Sequence, residues 1–226
     1  MVMIFTLTGA SGAGKSTIGE LLRKRFGDIL KPVISVTTRE PRDADPSGEY
    51  AYVSVEEFQK MKCAGEFIWD ACPHRTDYYG TLFRSLEETN NEPNTIFLMV
   101  LEPDSVGTLH LKGKKMDLKI HSFYIVSPSL EDLHWRLVNR ARQEREKKMR
   151  KMRADGVPEP EIWLWLKDKA VKDRVALKGR IQDCLKWDDR ALRSKIPYVF
   201  VRNNMADLGQ EAAATVAAEI VERMSA

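Results

Sequence analysis

The stretch GASGAGKST, Gly9 to Thr17, satisfies the pattern G-x-x-x-x-G-K-[ST]. An apolar run precedes it and a helical periodicity follows, which is the context the pattern needs. Its glycines allow backbone N–H groups from Ser11, Gly12, Ala13 and Gly14 to converge on phosphate oxygens. The positive end of a helix beginning near Lys15 strengthens that attraction. Lys15 would reach terminal phosphates, with Ser16 and Thr17 completing the cradle and the Ser16 hydroxyl ligating Mg²⁺. The plain alternative is a Gly-rich strand-to-helix turn with no ligand.

The loop leaves open whether the phosphate is hydrolysed, moved to a second molecule or only held. A later segment bears on that choice. SVTTREPR, Ser35 to Arg42, sets Arg39 and Arg42 around Pro41 in an extended or turning loop. Arginine forks suit bidentate phosphate recognition, so two of them outside the loop point to a second anion site. A solvated basic loop is the competing explanation. DYYGT, Asp77 to Thr81, adds phenols and a backbone glycine, a pattern also met in ordinary packing. Glu102 and Asp104 follow an apolar run, at the strand end where ligands gather in open α/β sheets. Either acid would order Mg²⁺ or reach a bound base, unless the segment is an ordinary acidic turn. His74, His110, His121 and His134 are scattered without metal-ligand spacing.

The elements that must position these residues are legible as patterns. Apolar runs at Val2–Thr8, Thr95–Leu101, Lys119–Val126 and Tyr198–Val201 read as strands. Ile18, Leu21, Leu22 and Phe26 have helical spacing after the first, and Leu130, Leu133 and Leu137 after the third. Ser54 and Glu57 form a capping-box pattern opening a helix through Met61, and Ser129 with Asp132 marks a second start. Asp207–Met224 reads as a closing helix. Strands alternating with helices predict a parallel sheet covered on both faces. Thr37–Tyr79 interrupts this as a small inserted lobe, and Arg140–Lys178 as a charged segment in which Gly156, Pro158 and Pro160 separate two helical halves.

A chain of 226 residues with 43% hydrophobic and 31% charged residues reads as soluble and globular. Net charge is +3, so the whole chain is not a polyanion binder by charge alone. The longest fully apolar run, Ile96–Leu101, is too short to span a bilayer, so no membrane association is expected. Three cysteines without C-x-x-C spacing argue against a disulfide framework or zinc site and for a reducing, cytoplasmic location.

Taken in order, GASGAGKST, TTREPR, GEY, GEFIW and YYGT resemble guanylate kinase, closely from Ile4 to Thr81 and more loosely from Ile96 to Asn204. The resemblance implies an α/β, three-layer P-loop NTPase fold: a parallel sheet flanked by helices, a small lobe binding a nucleoside monophosphate, and a helical lid. It implies core segments at 1–36, 82–139 and 181–226, the lobe at 37–81 and the lid at 140–180. The implied reaction moves the γ-phosphoryl group of ATP to GMP or dGMP, with Mg²⁺. Arg39, Arg42, Tyr50 and Tyr79 match the family's acceptor-phosphate ligands, and Ser35, Gly80 and Thr81 fall on its base-contacting segments. Lys15, Arg39, Arg140 and Arg180 match its catalytic cations. RLVNR, Arg136–Arg140, resembles the start of its lid, and RNN, Arg202–Asn204, approximates its adenine-side N-D pair.

Three departures stand out. Where the family has Glu before Trp, this chain reads FIWDA. Register counted back from YYG makes Asp70 the reader of guanine N1 and N2, and register counted forward from GEF puts Trp69 there. The family's D-x-D-x-Q-G run is replaced by EPDSVG, with Glu102 and Asp104 on the acidic positions. The lid carries an extra piece, Arg145–Arg174, mixed in charge with a basic first half, which reads as a solvated helical hairpin whose IWLWL would pack against the core or a second subunit. No aromatics interleave with its basic half as base stacking would need, so nucleic acid is not an expected partner. The FIWDA shift leaves a different or modified acceptor nucleotide open, and a non-catalytic interaction module is the remaining reading. Monomer and homodimer both remain open.

Overall fold

A computed structural model describes residues 3–41, 45, 48–72, 77–92, 95–126, 129–204, 207 and 209–225. Five parallel strands form the central sheet in the order β2-β7-β1-β8-β9: β1 Met3–Gly9, β2 Leu30–Pro32, β7 Ile96–Val100, β8 Lys119–Val126 and β9 Tyr198–Arg202. Phe5, Leu7, Phe123 and Ile125 on one face and Ile4 and Tyr124 on the other are buried, because helices cover both faces of the central strands β1 and β8. On one side α1 (Lys15–Phe26), α7 (Gln210–Ser225), and the roots of α5 (Leu130–Ala154) and α6 (Glu159–Arg193) pack into one cluster with the sheet. On the other, α4 (Pro103–Lys115) packs with Ile4, Phe97 and Met99. The expected three-layer α/β arrangement is therefore observed.

Two core elements lack a signature in the sequence. β2 is only three residues long, and α4 begins on Pro103 with two internal glycines. Proline suits the first turn of a helix, and Val106 and Leu109 supply the face that packs.

A second sheet, ordered β4-β3-β6-β5, is built from β3 Ser35–Thr37, β4 Tyr50–Tyr52, β5 Phe67–Ala71 and β6 Tyr79–Leu82. One of its faces carries α2 (Val55–Cys63), which opens on Ser54: its hydroxyl accepts from Glu57 N at 3.2 Å, and Glu57 Oε2 accepts from Ser54 N at 2.8 Å. Phe58 of α2 stacks on Phe67 with ring centroids 4.5 Å apart, sealing a small core with Val36 and Leu82. A short helix, α3 (Phe83–Glu87), leads back to the main sheet.

The charged segment forms a hairpin of two long helices. α5 starts at Ser129, whose hydroxyl accepts from Asp132 N at 3.0 Å, and α6 returns after the turn at Gly156. Ile162 is buried and Trp163 is exposed, so the IWLWL segment seats one apolar side chain and presents another to solvent. Among the described residues no helix is long and apolar enough to cross a membrane, and all three cysteines are free thiols.

Candidate active site

β1 delivers the chain to Gly9, where a side chain could not fit: a Cβ there would stand 2.4 Å from the Ile125 carbonyl oxygen. Gly14 sits at φ 97°, and a Cβ on it would meet Asn203 Nδ2 at 2.0 Å. These contacts explain why the loop needs glycine at both ends. Asn203 Nδ2 donates to the Ala13 carbonyl at 2.6 Å, and Arg136 of α5 donates to the Gly12 carbonyl at 3.2 Å. C=O and N–H of a trans peptide point in opposite directions. Drawing the Ala13 carbonyl toward Asn203 therefore turns the Gly14 N–H the other way. Burial holds the Arg136 guanidinium below its ordinary pKa.

Lys15 is buried at the start of α1. Its Nζ donates to Gly9 O at 2.7 Å and Ala10 O at 3.1 Å, and stands 3.7 Å from Glu102 Oε1. Ser16 and Thr17 are exposed beside it on the first turn. Glu102, just past β7, keeps its second oxygen, Oε2, buried without a hydrogen-bond partner among the described residues. The loop, Lys15, Ser16 and one acid thus come together at the sheet edge, and Ser11 and Gly12 are partly accessible.

Arg39, expected at a second anion site, lies in the lobe. Arg39 is buried, with Nη1 and Nη2 donating to the Asp45 carboxylate at 2.7 and 2.5 Å. Tyr52 OH donates to the same carboxylate at 2.6 Å, and the guanidinium lies 4.9 Å from the Tyr50 ring centroid. Burial alone would lower the Arg39 pKa, but the hydrogen bonds and charge of Asp45 raise it, so the group stays cationic. Tyr50 is pushed well above the ordinary phenol range by burial and then by Glu49. Glu49 is raised by its own burial and lies 3.5 Å from Arg23 of α1, linking lobe to core. Tyr79 meets Tyr50 edge-on at 6.4 Å. Arg42, like His74, lies outside the described residues.

The base-contacting positions divide differently from expectation. Ser35 Oγ and Thr81 Oγ1 are buried and 2.9 Å apart, on one face of the lobe sheet. Across from Thr81 on β5 stands Trp69, while Asp70 pairs with Gly80 and its side chain binds Lys62 of α2 on the opposite face. Successive strand residues alternate faces, so only one of Trp69 and Asp70 can join Ser35 and Thr81. The large apolar ring takes the buried face and the carboxylate takes the α2 side, next to a lysine. Asp70, expected as the base reader, therefore stands on the face opposite Ser35 and Thr81. Asp104 is also displaced from its expected place: it accepts from Trp187 Nε1 at 3.0 Å and Arg190 Nη1 at 2.9 Å, both on α6. Glu102 is the extended residue before α4 and reaches toward Lys15, whereas Asp104 lies in the first turn of the helix and is held by α6, so the two acids serve different partners.

Arg140 is exposed one helical turn beyond Arg136 and bonds Glu144 at 3.1 Å, while Arg180 is half-buried on α6. Neither lies in the loop. Sequence patterns did not mark Asn203 or Asp45 as site residues. The RNN segment was a signal for the first, and nothing in the turn-like DADPSG marked the second.

Comparison with known proteins agrees with this arrangement. The guanylate kinase family model matches residues 2–157. The chain is 32% identical over 154 residues to a guanylate kinase of Bifidobacterium longum, spanning 66% of this chain and 76% of that one. It is 37% identical over 138 residues to one of Campylobacter jejuni, spanning 61% of this chain and 65% of that one. A crystal structure of guanylate kinase from Anaplasma phagocytophilum shares the fold with a TM-score of 0.60 at 19% identity, covering 99% of this chain and 86% of that one. A nucleotide loop carrying its buried lysine, a lobe with a caged arginine, and a family match over most of the chain lead to one conclusion: this is a kinase that belongs to the guanylate kinase family.

Proposed function

We propose that the protein transfers the γ-phosphoryl group of ATP to GMP or dGMP, releasing ADP and GDP or dGDP. The observation that supports it best is the pair of separate cationic anion sites, Lys15 in the loop and Arg39 in the lobe, on two sheets tied by Arg23 and Glu49. A hydrolase or a switch needs only the first. Binding a donor phosphate at one and an acceptor phosphate at the other converts a bimolecular encounter into a positioned transfer.

In this reading the loop amides and Lys15 hold the donor phosphates. The Arg39 fork takes the acceptor phosphate in exchange for Asp45, with Tyr50 and Tyr79 beside it. Arg136, Arg140 and Arg180 on the hairpin approach the transferring group as the lid closes, matching its charge and excluding water. Ser35, Gly80 and Thr81 line the base. Mg²⁺ fits the donor set: Ser16 offers an exposed hydroxyl, and Glu102 a buried oxygen with no partner among the described residues. Mg²⁺ held by nucleotide phosphates needs only one or two such protein ligands. When bound it would neutralise phosphate charge. The interaction-module reading is set aside, since Gly9, Gly14, Lys15 and Ser16 are all intact.

The test is ADP release with Mg-ATP against a panel of ribo- and deoxyribonucleoside monophosphates. Turnover with GMP and dGMP is expected. Turnover only with non-purine acceptors, or with none of the panel, would overturn the proposal.

A further inference from the structure

We propose that the Trp69 indole N–H reads a ring carbonyl of the acceptor base, and that this pocket therefore does not select a 2-amino group. The inference rests on the acceptor reading above and specifies its base site. Trp69 is 5% exposed and stands opposite Thr81, on the face that carries the Ser35–Thr81 hydroxyl pair. Its Nε1 is buried and has no hydrogen-bond partner among the described residues. An indole can only donate, so a buried indole N–H without a partner is stabilised by a ligand that brings an acceptor. The ring shares a cluster with Leu101 and Val106, which flank Glu102 and Ser105 at the seam between lobe and core. Ser105 Oγ there is likewise buried without a partner.

The acids expected near the base are each directed to other groups. Asp70 is turned to Lys62, Asp104 is held by Trp187 and Arg190 on α6, and Glu102 Oε1 reaches toward Lys15. Along its Watson–Crick edge guanine presents one acceptor, O6, and two donors, N1–H and the 2-amino group. Trp69 matches O6, and the hydroxyls, which both donate and accept, satisfy N1–H. The 2-amino group meets no dedicated acceptor. Hypoxanthine is guanine without that amino group, so IMP offers this face every contact that GMP does. Adenine sets a 6-amino donor where the carbonyl belongs, opposite the Trp69 donor, and is rejected.

The experiment measures kcat/KM of the wild-type chain with Mg-ATP and either GMP, IMP or AMP, and repeats it with Trp69→Phe. GMP and IMP are expected within about tenfold of each other, because a site without a partner for a group gains little from it. AMP is expected well below both. Trp69→Phe keeps the ring but removes the donor, and is expected to lower GMP and IMP together by roughly tenfold, mostly through KM. A preference for GMP over IMP of 100-fold or more overturns this inference and leaves the GMP reading standing. So does Trp69→Phe with unchanged kcat/KM for both purines. No turnover with either purine overturns the acceptor reading and this inference with it.

Discussion

The two proposed anion sites are built on opposite principles. In the loop the ligand surface is backbone, shaped by glycines that neighbouring atoms leave no room to replace, and its cation Lys15 rests on the loop's own carbonyls. In the lobe the surface is side chain: the Arg39 fork is fully engaged by Asp45, with Tyr50 and Tyr52 around it. A backbone site is ready whenever the fold is formed. A side-chain site of this kind is a competition, in which the incoming phosphate must replace a carboxylate that already satisfies the guanidinium. The first is rigid and hard to alter by substitution, and the second is adjustable. Of the three departures from the family pattern, FIWDA falls in the lobe and none falls in the loop.

The comparison can be broken most directly at Lys15. Removing its charge in Lys15→Ala is expected to lower kcat by about 10²-fold or more, the scale seen when one preorganised charge-stabilising donor is lost. Steady-state ADP release checks this, and a variant retaining near-wild-type kcat would mean that the loop does not carry the transfer. The lobe is expected to respond differently. Arg39→Lys keeps the charge but loses the fork, and the loss of a charge-assisted bidentate contact raises the acceptor KM by roughly 10- to 100-fold. The KM for ATP should stay put. A change in the ATP KM instead of the acceptor KM would merge the two sites into one.

The smallest effect lies outside both sites, in the frame they share. His110 Nε2 lies 2.8 Å from Ser122 Oγ, which also accepts from Thr6 Oγ1 at 2.8 Å, a chain joining α4, β8 and β1. Burial depresses the His110 pKa, and burial with the charge of Arg223 depresses that of His121. With the folded value below the unfolded one, the unfolded chain takes up more protons as pH falls through about 6.5. Stability from these groups is present above that pH and is lost below it. The urea midpoint is therefore expected to be lower at pH 5.5 than at pH 7.5, and His110→Gln should flatten part of the drop. A midpoint that does not fall on acidification would show that these histidines are not buried as neutral groups.

Legibility in the sequence followed the range of the interaction. β1, β7 and β8 stand out as apolar runs because both faces of a central parallel strand are buried. The starts of α2 and α5 are visible because a cap is settled within four residues. β2 is too short to show any period. Trp69 and Asp70 could not be separated in advance, because the answer depends on register. The pairing of β5 with β6 shifts between Phe67 and Trp69, and such a shift decides which residue faces Thr81. Glu102 and Asp104 look equivalent in a list of acids, yet a helix begins at Pro103 and carries Asp104 to α6.

By itself, the sequence determined the phosphate loop, the helix caps, the alternation of strands and helices, and the presence of a second cationic segment. All of these are set by residues a few positions apart, whose geometry follows from local dihedral preference and periodicity. Only the tertiary structure decided that Asn203 holds Ala13, that Trp187 and Arg190 hold Asp104, and that Trp69 rather than Asp70 faces Ser35 and Thr81. Those pairings join residues far apart in the chain. They exist because burial of the two main clusters brings the elements together in one register, and that register assigns each polar group its partner.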